Sequence, residues 1–344
     1  QYDIHGGGLD LPGANGDPDL VVFGTEYTPN LHALAADFVN LDNYYSNPEG
    51  SIQGHQWTTM ASCNDYVEKV WMDQLPLVGW EPASLPEADS IFDACFANGV
   101  SFRNYGEFAA FSPGMFSEFM PYFDNKFPFF NMDVPDVDKA AEFVREMDQG
   151  IFERFTYICL PNDHTFGLKA GKPSPESMVA DNDRATARVV EAISHSIAWP
   201  HTAIFIIEDD PQGSGDHVDA HRSIAVVVSP WVRRGYVSSV QYDVPSLYRT
   251  IGMILGLPPL GNNDALATPM TDIWVDGVNE LPDYTPYDAL PVSVPDRFNP
   301  DQGEPSEVIV ESAHPDGVEG LGMLLWRVMR GDVAMPPYAK RIDR

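Results

Sequence analysis

One short stretch of the chain is crowded with acids and imidazoles: Glu208-Asp209-Asp210-Pro211-Gln212-Gly213-Ser214-Gly215-Asp216-His217-Val218-Asp219-Ala220-His221-Arg222. Three consecutive carboxylates repel one another, and a bound divalent cation is the usual compensation. Asp oxygen and His nitrogen are ligands for Zn²⁺, Mn²⁺ or Ca²⁺, and the residue types alone do not choose among them. A solvated acidic loop is the plain alternative. The interleaved histidines weaken it, because hydration alone has no use for imidazole. A second group, Pro161-Asn162-Asp163-His164-Thr165, pairs a carboxylate with an imidazole in the same way. A hydroxyl candidate lies far from both, at Ser51, directly after Pro48-Glu49-Gly50 and at the head of a helical pattern. A serine there meets free backbone N–H groups and the positive end of the helix dipole, which suit an anionic substrate. A metal ion could also lower its hydroxyl pKa and make it a nucleophile. Taken alone, a serine at a helix start is more often only a cap.

The elements that must position these groups can be read from periodicity. Thr156–Leu160, Ala203–Ile207 and Ile224–Val228 are short, apolar and β-branched, as buried parallel strands are. Between the first two, a helical pattern runs from about Ser177 to Ala198, so strand, helix and strand form a βαβ unit. The fold class expected is α/β, with a mostly parallel central sheet flanked by helices. Such sheets hold ligands beyond the carboxyl ends of their strands, where Asp163 and the Glu208–Arg222 cluster fall. Glu107 follows another strand pattern, Gly99–Tyr105, and could reach the same place. Thr28 and Pro29 announce a helix carrying Leu31, Leu34, Ala35 and Phe38 on one face. Phe108–Met132 is aromatic without a clean period and reads as an irregular wall over the sheet edge, its rings packing a satellite core more readily than touching substrate. Residues 1–275 are expected to form the α/β domain. Residues 276–344 then make a Pro/Asp-rich extension whose helix near Gly317–Arg330 packs back on it. His195 and His201 read as capping or packing residues, and His32 and His314 as surface ones.

Composition narrows the partners. The 344 residues carry 51 Asp and Glu against 20 Lys and Arg, a formal charge of −31. That sign excludes binding to a nucleic-acid backbone by counterion release, and it opposes docking on anionic lipid. With 44% apolar and 12% aromatic residues there is material for a large core, so the charge does not mean disorder. No apolar run reaches the ~18–20 residues of a transmembrane helix. Cys63, Cys95 and Cys159 have neither zinc-ligand spacing nor a disulfide framework. The excess of acid points to a saline or extracytoplasmic setting, periplasmic or extracellular.

Several blocks in order carry a family resemblance: Thr28-Pro29-Asn30-Leu31-His32-Ala33-Leu34-Ala35, Asp42-Asn43-Tyr44-Tyr45, Ser51 through Trp57, Leu160 through Thr165, Met178 through Asp183, Glu208 through Arg222, and Ser229-Pro230. With Leu325-Trp326-Arg327 and Arg330-Gly331-Asp332 they cover nearly the whole chain. The chain resembles the alkaline-phosphatase superfamily, in its phosphoesterase branch of acid phosphatases and phospholipase C-like enzymes. Bacterial members of that branch are often fused to a β-propeller, here expected upstream. The resemblance implies a metal-dependent phosphoester hydrolase with Ser51 as the metal-bound nucleophile. His55, four places on, would help to hold the phosphate. Asp209 and Asp210 match the paired metal ligands, with Asp163 and Asp216 as further candidates. His164, His217 and His221 match positions that face the phosphate, the leaving group or a second metal, and the motif does not say which does which.

One departure is serious. In the family the first strand ends in a Glu-Asn pair that ligates the metal just before a Tyr-Asp, whereas this sequence opens Gln1-Tyr2-Asp3. That strand and its two ligands are therefore expected to be missing, which would leave the chain as it stands inactive or weak in metal binding. The alternative function is a non-catalytic, acidic, cation-binding or surface protein on the same fold.

Overall fold

The computed structural model describes residues 2–7, 11–70, 82–84, 88–107, 119–211, 215–300 and 321–340. β-Branched or aromatic residues occur in each of its described strands: β1 Val39–Leu41, β2 Tyr44–Tyr45, β3 Phe102–Tyr105, β4 Phe155–Ile158, β5 Ile204–Ile207, β6 Ala225–Val228, β7 Tyr236–Ser238 and β8 Tyr242–Asp243. The helices between them are α1 Pro29–Asp37, α2 Ser51–Met60, α3 Asp65–Val70, α4 Ile91–Ala97, α5 Asp136–Asp148, α6 Pro175–Ser194, α7 Val244–Leu255, α8 Asn262–Leu266 and α9 Leu321–Arg330. The class is α/β, as the sequence predicts.

Strands β5, β6, β1 and β7 form one sheet in that order, while β3 pairs with β4 and β2 with β8. The β1–β7, β2–β8 and β3–β4 ladders are parallel. The β5–β6 and β6–β1 ladders are antiparallel. Ile224–Val228 therefore does not run parallel to Ala203–Ile207, as its sequence suggested. A parallel partner needs a crossover, usually helical. The segment from Glu208 to Ile224 contains no described helix, so the chain folds back on itself and Ile207 faces Ala225. The same segment is the acidic, histidine-rich loop.

The core lies between this sheet and its helices. Val226, Val227 and Val228 are 1%, 1% and 0% exposed, packed with Leu34 of α1, Phe38 just after it, and Val189, Val190 and Ile193 of α6. Burying apolar surface of this kind contributes roughly 25 cal/mol per Å². Helix α1 starts at Pro29, and its first N–H groups are satisfied from a distance. The Asn30 and Leu31 amides donate to the two oxygens of Asp183 on α6, at 3.1 and 2.8 Å. Thr28 occupies the cap position, but its hydroxyl donates backward to Phe23 and Gly24. The Pro/Asp-rich segment runs along α6 and α1: Asn30 accepts from Tyr287 and Leu290, and Ser177 accepts from the Arg297 amide. Helix α9 buries Trp326 against Ile4, Leu20, Val22, Phe23 and Val179. No described helix is long and apolar enough to cross a membrane.

Of the aromatic stretch, residues 108–118 lie outside the described residues. Phe119, Phe123 and Phe127 are buried in the main core, while Phe130 takes a different place, described below.

Candidate active site

Helix α2 begins at Ser51 with Gly50 as an extended N-cap that offers no side chain. Its first N–H groups have no partner within the helix. Ser51 is 4% exposed, and its Oγ donates to Asp210 Oδ2 at 2.5 Å, a short charge-assisted bond. The helix lies directly against the backbone after β5. A Cβ on Gly54 would stand 2.6 Å from the Asp209 carbonyl oxygen, so only glycine allows this approach.

One turn after Ser51, His55 is held from both sides. Its Nδ1 lies 2.7 Å from Glu107 Oε2 and its Nε2 lies 3.7 Å from Asp209 Oδ2. A carboxylate can only accept, so this contact favours the His55 tautomer that carries its proton on Nδ1. Glu107 is wholly buried just past β3, and Asn104 grips its backbone amide and carbonyl at 2.9 and 2.8 Å. Phe130 links His55 to His164, with ring centroids 6.5 and 5.8 Å away and both contacts edge-to-face.

Asp163 follows β4 and Glu208 follows β5, and their side chains hydrogen-bond to each other. Burial raises the pKa of both, and repulsion from Asp209 adds to it. Two carboxylates this close resist ionising together, a repulsion that a nearby cation would relieve. The Pro161–His164 turn is fastened by a polar network behind it. Asp136 accepts from the Asn162 amide at 2.9 Å, from Lys139 at 2.8 Å and from Asn182 at 3.1 Å. Asn182 also donates to the Leu160 carbonyl at 2.7 Å. Burial pushes Asp136 up to about 7 despite the fully buried Lys139 ammonium beside it. The turn ends at Thr165 with φ +63°, a costly conformation for a β-branched residue.

The sequence-derived residues separate into two groups. Ser51, His55, Asp163, His164, Asp209 and Asp210 gather where α2 meets the ends of β4 and β5. Asp216 and His217 do not face this place. Both Asp216 oxygens accept from Arg222 Nε at 3.0 Å, and one also takes the Val218 and Asp219 amides. A guanidinium six residues along the chain supplies the compensating charge that a metal was expected to bring. His217 has Nδ1 2.7 Å from Asp3 Oδ2 and Nε2 3.1 Å from Asn15 Oδ1, so its ring is a tie to the N-terminal loop. His221 stands between, 3.0 Å from Asp219 and 4.0 Å from Glu49 Oε1, lining an open cleft with Tyr45, Asn47 and Asp243. Glu107 is the site residue the sequence underweighted, and its only signal was its place just after a strand.

Could these residues hold a cation? Ser51 Oγ, Asp210 and Asp209 supply hard oxygen donors of the kind Mn²⁺ and Ca²⁺ take and Zn²⁺ accepts, and the repulsion among Asp163, Glu208 and Asp209 marks a concentration of carboxylates. The donor chemistry fits, as part of a shell of four or more. Among the described residues, the trios of acid or His atoms within 4.8 Å of one another lie elsewhere, at Asp3-Asp216-His217 and Asp124-Glu142-Glu146. Arg222 and Arg103 already neutralise those two.

Residues 14–258 match the model of the Phosphoesterase family, a span that includes every residue of the Ser51 site. Among solved structures, a protein of the alkaline phosphatase superfamily from Vibrio parahaemolyticus aligns with TM-score 0.50 and 16% identity, over 71% of this chain and 65% of its own. This chain thus spans about two thirds of that protein's length. The phosphonate monoester hydrolase of Agrobacterium radiobacter aligns with TM-score 0.47 and 14% identity, over 72% of this chain and 74% of its own. No curated protein matches the chain significantly in sequence. The fold is that of the alkaline phosphatase superfamily, and the chain belongs to the phosphoesterase family.

Proposed function

We propose that the protein is a metal-dependent phosphoester hydrolase that works through Ser51. The observation that carries this reading is the Ser51 Oγ–Asp210 Oδ2 bond of 2.5 Å at the start of a buried helix. Asp210 is placed to take the hydroxyl proton as Ser51 Oγ attacks phosphorus. The bond from phosphorus to the leaving oxygen breaks as the Ser51 O–P bond forms, and water later cleaves the phosphoserine. The N–H groups at the head of α2 receive the phosphoryl oxygens, and His55 joins them as a donor when its Nε2 is protonated as well as its Nδ1, which the Glu107 carboxylate favours. Glu107 fixes the His55 ring, and Phe130 keeps water from the space between His55 and His164. His164 or His221 returns a proton to the leaving oxygen. A divalent cation held by Asp209, Asp210 and Ser51 would supply charge neutralisation that a protein of net charge −31 needs to admit an anionic substrate.

Ser51→Ala should lower hydrolysis of p-nitrophenyl phosphate in Mn²⁺ at least ~10³-fold. Equal turnover would overturn the assignment. The incomplete donor shell favours a second reading, a non-catalytic cation-binding protein. Mn²⁺ binding by calorimetry without any turnover by the wild type would support that one instead.

A further inference from the structure

The sequence holds two Asn-Gly pairs, Asn15-Gly16 and Asn98-Gly99. Glycine has no Cβ, so its backbone nitrogen can approach the asparagine side chain ahead of it with little steric hindrance. Both asparagines are exposed, and solvent access does not tell them apart. Their hydrogen bonds do. Asn98 sits at the end of α4, where its Nδ2 donates to the Ala94 carbonyl at 2.8 Å and the Gly99 amide donates to Phe96 at 3.3 Å. The nitrogen that would leave and the nitrogen that would attack are both engaged there.

At Asn15 the bonds fall elsewhere. The Asn15 amide donates to Asp42 Oδ2 and the Asp17 amide to Asp3 Oδ1, each at 2.9 Å, which fixes the chain on either side. Between them the Gly16 amide meets no acceptor among the described residues. Arg222, a wholly buried guanidinium, donates from Nη1 to the Asn15 carbonyl oxygen at 2.6 Å. That oxygen belongs to the same peptide group as the Gly16 nitrogen. A cation on it favours the charged form left when the nitrogen loses its proton. His217 Nε2 lies 3.1 Å from Asn15 Oδ1, the oxygen that gains negative charge when Cγ is attacked.

We propose that Asn15-Gly16 is a self-modification site, at which the folded protein converts the Asn15 side chain to aspartate and isoaspartate with loss of ammonia. The Gly16 nitrogen gives its proton to water and bonds to Asn15 Cγ. The Cγ–Nδ2 bond breaks, and Nδ2 takes a proton from solvent and leaves as ammonia. Water then opens the cyclic imide at either carbonyl. One opening restores the main-chain link and leaves aspartate; the other carries the link through the side chain and leaves isoaspartate. Either product sets a new carboxylate close to Asp42 and Asp3, where Arg222 is already paired with Asp3 and Asp216 at 3.0 Å. Isoaspartate also lengthens the main chain by a methylene between the two fixed amides. The inference rests on these residues alone and stands whether or not the protein is a hydrolase.

The test compares the two pairs within one protein. The chain is aged at neutral pH, once folded and once in urea, where both pairs are equally free. Peptide mapping by mass spectrometry follows amide-to-acid conversion at each asparagine, and electron-transfer fragmentation separates isoaspartate from aspartate. Asn98 should convert at least ~10-fold more slowly in the folded protein than in urea, because two hydrogen bonds must open first. Asn15 should convert no more slowly folded than in urea, and isoaspartate should be found there. Folded protein in which Asn15 is slowed as Asn98 is, or in which Asn98 converts as fast as Asn15, would overturn the proposal.

Discussion

Gly54→Ala separates a stability effect from a positional one. Glycine inside a helix costs ~1 kcal/mol relative to alanine, so helix propensity alone favours the substitution. The new methyl would lie 2.6 Å from the Asp209 carbonyl oxygen and 2.9 Å from its carbon, whereas ordinary contact begins near 3.4 Å. Helix α2 and the Asp209 backbone must then part by about 0.8 Å, which is 3.4 − 2.6. Overpacking of this kind costs ~1–3 kcal/mol, so the net change in stability is a loss of ~0–2 kcal/mol. The larger effect falls on geometry. A 2.5 Å bond from Ser51 to Asp210, stretched by that amount, ceases to be a strong one. Misplacement near 1 Å in a reacting pair costs ~10²-fold in rate. The assay is p-nitrophenyl phosphate turnover in Mn²⁺ beside calorimetric melting, with Gly252→Ala as control. That glycine lies inside α7, and its added Cβ would meet only Leu257 O at an ordinary 3.6 Å. The control should melt slightly higher and keep its turnover. A Gly54→Ala protein as active as wild type, with a raised melting point, would refute the claim that α2 is set by its contact with Asp209.

Three further outcomes follow from the same structure. His5 is buried, 7% exposed, and burial foremost lowers its pKa to about 3. Its folded pKa lies below the unfolded value near 6.5, so the stability it confers is present above pH 6.5 and is lost as pH falls toward 3; at pH 5 the loss is ~2 kcal/mol. His5→Phe, which can keep the contact with Phe23, should flatten that part of a pH–stability curve, and an unchanged slope would contradict the burial argument. Asp183→Ala removes the distant cap of α1 and should cost ~1–2 kcal/mol in urea unfolding, whereas a neutral result would mean that water replaces it. Glu107→Gln keeps the shape but no longer holds a proton on His55 Nδ1 by charge. It should lower turnover ~10-fold or more and shift the pH profile, while a loss of melting temperature with normal kinetics would show a packing role only.

Much of the Ser51 site was legible because its parts lie at predictable places in the chain. Asp209, Asp210 and Asp163 follow apolar runs, and Ser51 opens a helix after Gly50. Position relative to an element can be read from periodicity. Pairing between distant groups cannot. Asp216 has the same local look as Asp209, yet Arg222 claims it once the loop closes, and Asp3 claims His217 across more than two hundred residues of chain. Glu107 was visible as a strand-end acid but not as the partner of His55, since β3 and α2 are far apart in sequence. The direction of β6 escaped for a related reason. A β-branched run reports burial equally well in either orientation, and what decides it is that the chain between Glu208 and Ile224 makes no helical crossover among its described residues.

The central claim is that Ser51 becomes covalently bonded to phosphorus. Incubating the protein with Mn²⁺ and a phosphate monoester, quenching in acid and mapping the peptides by mass spectrometry measures that directly. The account predicts a mass increase of one phosphate on Ser51, lost in Ser51→Ala and diminished in Gly54→Ala. Hydrolysis that proceeds with Ser51 unmodified, or with the phosphate on another residue, would contradict it.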